Sequence, residues 1–229
     1  GFEVKIGADV TDKWGQSLAR GRTIRFSTRA LDPEQWFDVP GRFGVYSAYT
    51  DTLVYARYRN VTQLNFELYQ VSLDMFATLI GNDSYNLWNS SVPVSGSPIR
   101  AWSVPVSPEL NKAGLLRVPV GGETGGALTT GIYLIRVTSP EQNQSDFGGI
   151  SRHLLVVANT NVTYKSAERE GLVWATDLQS GDVTTAASIT IYDSAFKALA
   201  AGKTDGSGLF KAQWQSAINT FDTAVAIVG

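Results

Sequence analysis

The sequence predicts an all-β chain made of tandem β-sandwiches, and three features lead there. Polar and apolar residues alternate with a period of two rather than 3.6, the alternating runs are short, and each ends at Gly, Pro, Asn, Asp or Ser. Successive side chains of an extended strand point to opposite faces, so such a run buries one face and wets the other. Many brief strands at this spacing pack as two facing sheets of the immunoglobulin or fibronectin kind, not as one parallel sheet with helices. The length, 229 residues, suits two domains of roughly 100–150 residues each.

The elements fall into three segments. Residues 1–31 hold a strand at Phe2–Ile6, a turn-rich loop at Asp9–Gly15 and a second strand at Thr23–Thr28. Two strands make no stable sandwich alone, so they are expected to pair with something upstream or to dock on the second segment. Gly1–Ile6 begins as though already inside a strand, as a piece of a longer chain does.

Residues 32–158 form the second segment, expected to be a sandwich with a long loop insertion. Leu64–Val71 alternates strictly. Leu73–Gly81 reads as one short helix, with Leu73, Phe76, Ala77 and Ile80 on one face and Gly81 as its C-terminal cap. Gly81–Gly126 is loop-rich: Pro93, Pro98, Pro105, Pro108 and Pro119 lack an amide donor and restrict it to extended stretches and brief edge strands. Gly131–Val137 and His153–Ala158 are late strands joined by a polar hairpin loop at Ser139–Gly149.

Residues 159–229 form the third segment. Strands are expected at Leu172–Asp177, Ile189–Tyr192, Leu209–Trp214 and Ala224–Val228, with turns at Gln179–Asp182 and Thr204–Gly208. Ser216–Asp222 suggests a turn of helix. The chain stops directly after its last strand, consistent with a truncated module.

Composition removes several function classes. Hydrophobic residues make up 43% and charged residues 17%, enough apolar content for packed cores. The net charge is -2 with no basic stripe, which argues against a nucleic-acid partner. The absence of cysteine rules out disulfides, thiolate zinc sites and cysteine nucleophiles. No apolar run is long enough for a transmembrane segment, and no signal peptide is visible. Asn60, Asn82, Asn89, Asn143 and Asn161 stand in Asn-x-Ser/Thr sequons, read first as a product of Asn-, Ser- and Thr-rich composition.

No residue constellation points to catalysis, a cofactor or a metal, and none is assigned. His153 is the single histidine, read as a strand-edge residue with a structural role; no triad or multi-histidine metal site can be built around it. Gly121–Gly126 lacks the Gly-Lys-Ser/Thr that opens a phosphate-binding helix, so a hairpin loop is expected. Asp9, Asp12 and Asp205–Gly208 lack the spacing of a calcium loop and read as turn chemistry. Glu168 and Glu170, on one face of a strand, flank Arg169 and are expected to be solvated. Trp36, Trp88 and Trp102, read as lying in or near loops, are the residues a sugar-stacking platform would use; Trp174 and Trp214 are read as strand residues.

Three stretches resemble the bacterial α2-macroglobulin family. Gly171–Gly181, with Asp177-Leu-Gln-Ser-Gly181 closing a strand, leads into Ala187-Ser-Ile-Thr-Ile-Tyr-Asp193 and then Thr204-Asp-Gly-Ser-Gly208. This order is similar to a macroglobulin domain of that family, although Val183–Ala186 departs from its usual proline-bearing stretch. Asn60–Tyr69 resembles an early strand of the preceding module. Ile6–Leu18 with Ile24–Thr28 resembles the close of a bacterial Ig-like domain. The resemblance implies macroglobulin-like sandwiches at 32–158 and 159–229, behind the end of an Ig-like domain at 1–31. It implies a non-catalytic structural role in a large exported protease-trapping inhibitor, with neighbouring domains of the same chain as direct partners and proteases engaged through the full-length protein. The Cys-Gly-Glu-Gln thioester of such inhibitors has no counterpart here. The competing reading is an Ig-like surface adhesin or carbohydrate-binding array; a hydrolase finds little support in the residue inventory.

Overall fold

The computed structural model describes residues 1–81, 88, 96–142, 151–215, 218 and 224–229. Two compact units divide the chain, Gly1–Asp32 and Pro33–Gly229.

In the first unit, β1 (Phe2–Ile6) and β2 (Arg22–Phe26) pair antiparallel, with Phe2 opposite Phe26 and Val4 opposite Ile24. Opposed residues share a face, so these four apolar side chains line one side of the ribbon. The rings of Phe2 and Phe26 stack at 5.5 Å. On the other side Glu3 meets Lys5 at 2.9 Å and Arg25 at 2.7 Å. All four apolar residues remain 45% to 56% exposed within the chain, as a two-stranded ribbon must leave them.

The second unit opens with β3 (Glu34–Phe37), β4 (Phe43–Ser47), β5 (Leu53–Arg59) and β6 (Gln63–Val71). Helix α1 (Leu73–Ile80) comes next, then β7 (Arg100–Pro105), β8 (Gly114–Pro119), β9 (Gly131–Thr138) and β10 (Ser151–Ala158). A five-stranded sheet in the order β4-β10-β9-β6-β7 faces a three-stranded sheet β3-β5-β8. Between them lie Phe37, Val54, Ala56, Leu64, Phe66, Leu68, Ile135 and Leu155, all buried. Strand β4 runs parallel to β10, whereas the other strand pairs are antiparallel.

The sequence pattern explains which sheet is covered twice. Along β6, Leu64, Phe66 and Leu68 point into the sandwich; beyond them Tyr69 and Val71 are buried on the opposite face. Helix α1 lies on that face, burying Phe76 and Leu79 against Tyr69, Leu134 and Leu154. Strands β9 and β10, buried on both faces, accordingly read as continuous apolar runs rather than alternations. The helix starts at Ser72, whose Oγ accepts the Met75 amide, and ends at Gly81, whose amide donates to the Ala77 carbonyl. The proline-rich stretch supplies edge strands: β7 and β8 each end in proline at the rim of its sheet.

A second sandwich begins after one intervening residue, Asn159. It comprises β11 (Thr160–Ala167), β12 (Glu170–Asp177), β13 (Ser188–Tyr192), β14 (Ala198–Lys203), β15 (Leu209–Gln213) and β16 (Val225–Val228). Sheets β11-β12-β15 and β14-β13-β16 enclose Val173, Ile189, Ile191 and Trp214.

The expected tandem all-β fold is the fold adopted, with eight strands in the first sandwich and six in the second among the described residues. Strands β3, β4, β5, β11 and β14 are not among the elements expected from sequence. Glu168 is not on a strand: Glu168 and Arg169 are the two-residue turn joining β11 to β12, and only Glu170 is extended. The suggested helical turn at Ser216–Asp222 lies outside the described residues except for Ile218, as do Pro93, Asn82, Asn89, Asn143 and most of the Ser139–Gly149 loop. No helix among the described residues is long and apolar enough to cross a membrane.

Candidate functional site

His153 is not at a strand edge. It is the third residue of β10, which lies between β4 and β9, and it is 1% exposed. Its side chain shares the inward face with Leu155 and Val157. Nδ1 lies 3.2 Å from the Gly41 carbonyl and Nε2 lies 2.8 Å from the Tyr46 hydroxyl. A carbonyl only accepts, so Nδ1 carries the proton and Nε2 accepts from Tyr46. Burial pushes the imidazole below its ordinary value, against a smaller upward pull from Gly41, and burial also raises the Tyr46 phenol. The pair is a neutral hydrogen-bonded contact in which His153 is sealed from solvent and Tyr46 is partly buried.

This neutrality sets a pH dependence. The unfolded chain takes up the imidazole proton before the folded chain does, so His153 contributes stability above the unfolded value near pH 6.5 that is lost as pH falls below it. As the single histidine, it is the one side chain with an ordinary titration in that range. Urea melts are expected to lose stability from pH 7 to pH 5, and His153→Gln is expected to flatten that interval. An unchanged slope in the variant contradicts this assignment.

The acidic candidates serve turns. Asp205 Oδ1 accepts the amides of Ser207 at 2.9 Å and Leu209 at 3.0 Å and the Ser207 hydroxyl at 2.7 Å. The Ser207 hydroxyl, then the two amides, hold its carboxyl below the usual range. Asp12 likewise accepts the amides of Trp14 and Gln16. The glycine-rich loop folds back on β5: the Gly126 amide donates to Asp51 Oδ1 at 3.0 Å, and its carbonyl accepts the Thr52 amide.

Two of the three tryptophans read as lying in or near loops stand in strands. Trp36 is in β3 and Trp102 is in β7. One face of Trp102 stacks on Phe66 at 5.2 Å, and the Arg100 guanidinium sits 4.1 Å from its ring centre. Trp88 packs beside the α1 cluster with the Arg42 guanidinium 5.5 Å from its ring. Trp174 lies in β12 and is 43% exposed, while Trp214 comes directly after β15 and donates from Nε1 to the Glu168 carbonyl at 2.9 Å. The Asn60 side-chain amide is itself engaged with Asn111 Oδ1 at 3.0 Å.

What the geometry does concentrate is the seam between the sandwiches. Asp177 Oδ1 accepts the amides of Gln179 and Ser180, closing the Asp177–Gly181 turn; Oδ2 accepts the Tyr49 hydroxyl at 2.6 Å. Tyr49 lies just past β4, so this bond ties the first sandwich to the second. The Tyr49 hydroxyl first, and then the Ser180 amide, hold Asp177 below its ordinary value. The Leu178 amide donates to the Asn159 carbonyl at 2.8 Å, and the Ala48 amide to the Ala158 carbonyl at 2.8 Å. Elsewhere along the seam, Phe196 of the β13–β14 loop meets Phe76 of α1 edge to face at 6.3 Å.

This succession of a separate ribbon, a helix-capped sandwich and a smaller sandwich joined by one residue has close structural counterparts. A fragment of native alpha-2-macroglobulin from Escherichia coli spanning domains MG0-NIE-MG1 superposes with a TM-score of 0.66 at 14% identity, over 99% of this chain and 73% of the fragment. The chain has the fold of bacterial alpha-2-macroglobulin domains. A shorter Escherichia coli alpha-2-macroglobulin fragment, spanning NIE-MG1, gives a TM-score of 0.60 at 11% identity, over 86% of this chain and 97% of the fragment. Salmonella alpha-2-macroglobulin reacted with methylamine gives 0.67 at 12% identity; there 99% of this chain is covered but only 14% of that protein. No protein-family model and no curated protein matches the sequence, so the likeness is carried by backbone architecture. The 229 residues thus correspond to a small part of a full-length alpha-2-macroglobulin.

Proposed function

We propose that this chain is a non-catalytic structural part of a larger exported alpha-2-macroglobulin-like protein that traps proteases. The observation that carries the reading is the match, over nearly the whole chain, to a fragment with three consecutive domains of such a protein. On this reading residues 1–31 are the closing strands of a β-domain, and residues 32–158 and 159–229 are successive macroglobulin-like sandwiches. A shorter fragment with two consecutive domains, matched over 86% of the chain, is in keeping with that reading. A scaffold role also suits side chains spent on cores, turns and a seam. His153 is sealed, and Asp205 and Asp12 are occupied by backbone amides.

The test is protease titration with the 229-residue chain and with the full-length protein that carries it. Enclosure of a protease by the full-length protein is expected to block cleavage of a large protein substrate while sparing a small peptide substrate. The 229-residue chain alone is expected to change neither rate. Inhibition by the short chain, or turnover that His153→Ala abolishes, overturns the structural reading. Unhindered cleavage of the large substrate beside the full-length protein overturns trapping.

A further inference from the structure

Three turns among the described residues are built alike. In Asp12–Gln16, Asp193–Lys197 and Asp205–Leu209, the first residue's amide donates to the carbonyl of the fifth, at 2.9, 3.0 and 2.8 Å. Its carboxylate Oδ1 accepts the amides of the third and fifth residues at 2.9 to 3.0 Å in each. Its carbonyl accepts the amide of the fourth. This arrangement places the fourth residue in the left-handed region, and two of the turns put glycine there: Gly15 at φ 79° and Gly208 at φ 74°. The third puts Phe196 there, at φ 57°.

A phenylalanine in that conformation is strained by its Cβ, and such strain persists only where surrounding contacts over-determine it. Those contacts belong largely to the other sandwich. The Phe196 ring stacks on Tyr192 of its own sandwich at 5.6 Å, and it joins the cluster that α1 makes with Tyr69, Leu134 and Leu154 of the first. Phe76, which it meets edge to face, is in turn met edge to face by Phe43 of β4 at 5.9 Å. A row of four rings, Phe43–Phe76–Phe196–Tyr192, therefore runs from the edge of one sandwich through the helix into the other. The connection at Asn159 is too short to act as a flexible linker, and the Tyr49–Asp177 bond lies at a second point of the same seam.

We propose that Phe196 is a docking residue, which anchors the second sandwich to helix α1 so that Pro33–Gly229 behaves as one rigid strut. The left-handed turn aims the ring across the seam, and the aromatic contacts offset the backbone strain.

The substitution Phe196→Gly separates this from a strained turn with no further role, because the two predict opposite signs. Glycine suits the turn, as its two sister turns demonstrate, so the variant folds. If the ring had no docking role, relief of strain would raise the unfolding midpoint of the full chain by roughly 2–4 °C. Docking predicts a lower midpoint, a broadened or split calorimetric transition, and amide exchange in α1 faster by about tenfold or more, reflecting local release of the helix. Phe196→Ala keeps the left-handed strain and loses the ring, so it is expected to melt below Phe196→Gly. A Phe196→Gly midpoint at or above wild type overturns the proposal. So does a lower midpoint with unchanged exchange in α1, since the loss would then be confined to the second sandwich.

Discussion

Phe66→Ala is expected to destabilise the first sandwich by about 3–5 kcal/mol, a large fraction of the stability of any single domain. Phe66 stands at the centre of β6, 1% exposed, with Trp102 and Val137 as its cross-strand partners. Its ring is stacked on Trp102 at 5.2 Å and tilted against Phe37 of the facing sheet at 6.4 Å. Removing it opens a ring-sized cavity where both sheets meet, and β6 cannot shift to fill it while paired on both sides. Truncation also strips Trp102 of its stacking partner, leaving Arg100 on an unsupported ring. Denaturant unfolding followed by circular dichroism measures the loss. Leu115→Ser, at a position 53% exposed on edge strand β8, is the matched control and is expected to fall within about 0.5 kcal/mol of wild type. Equal losses in the two variants contradict the placement of the core.

How legible all this is from sequence depends on how local each feature is. The β6 alternation and the Asp205 turn are written in consecutive residues, and the structure has both where the sequence puts them. The helix is legible from Leu73, Phe76, Ala77 and Ile80, but its most buried residues are Phe76 and Leu79, because the docked face is set by the sheet beneath it. Strand β5 carries a readable alternation that the expected elements omit: Val54 and Ala56 point inward between Tyr55 and Arg57. Strand β11 is hidden because only one residue separates it from β10, so two strands merge into one β-favouring stretch. Strand β4 is beyond sequence reasoning, since its only strand partner among the described residues is the distant β10, in a parallel register. The same holds for His153, whose two partners lie more than 100 residues upstream. Trp36 and Trp102 mislead for a related reason: a tryptophan close to a proline looks like a loop residue until the sheet it borders is known. The seam is invisible in sequence except for one signal, a phenylalanine at the fourth position of a turn that elsewhere takes glycine.

The same turn geometry gives the second large expected effect. Gly208→Val is expected to cost about 3 kcal/mol, enough to compromise a six-stranded sandwich with few fully buried side chains. Two penalties act together. The backbone at φ 74° forces a β-branched residue into a conformation it strongly disfavours. A Cβ at this position would also stand 2.7 Å from the Ala175 carbonyl and 3.0 Å from the Val183 Cβ. Neither neighbour yields freely. The Ala175 carbonyl accepts the Thr184 amide at 2.9 Å, and the Ala175 amide donates to the Gly208 carbonyl at 2.9 Å. Relaxing the clash would break the pairing that joins the Asp205 turn to β12, beside Val173 in the core. Gly206, two residues earlier, has nothing within 4 Å of a built Cβ, and Gly206→Ala is expected to leave the melting temperature nearly unchanged. A thermal melt followed by circular dichroism compares the two. Comparable melting temperatures for Gly208→Val and Gly206→Ala would mean that the turn is free of β12, and the second sandwich would then lack the closure its core requires.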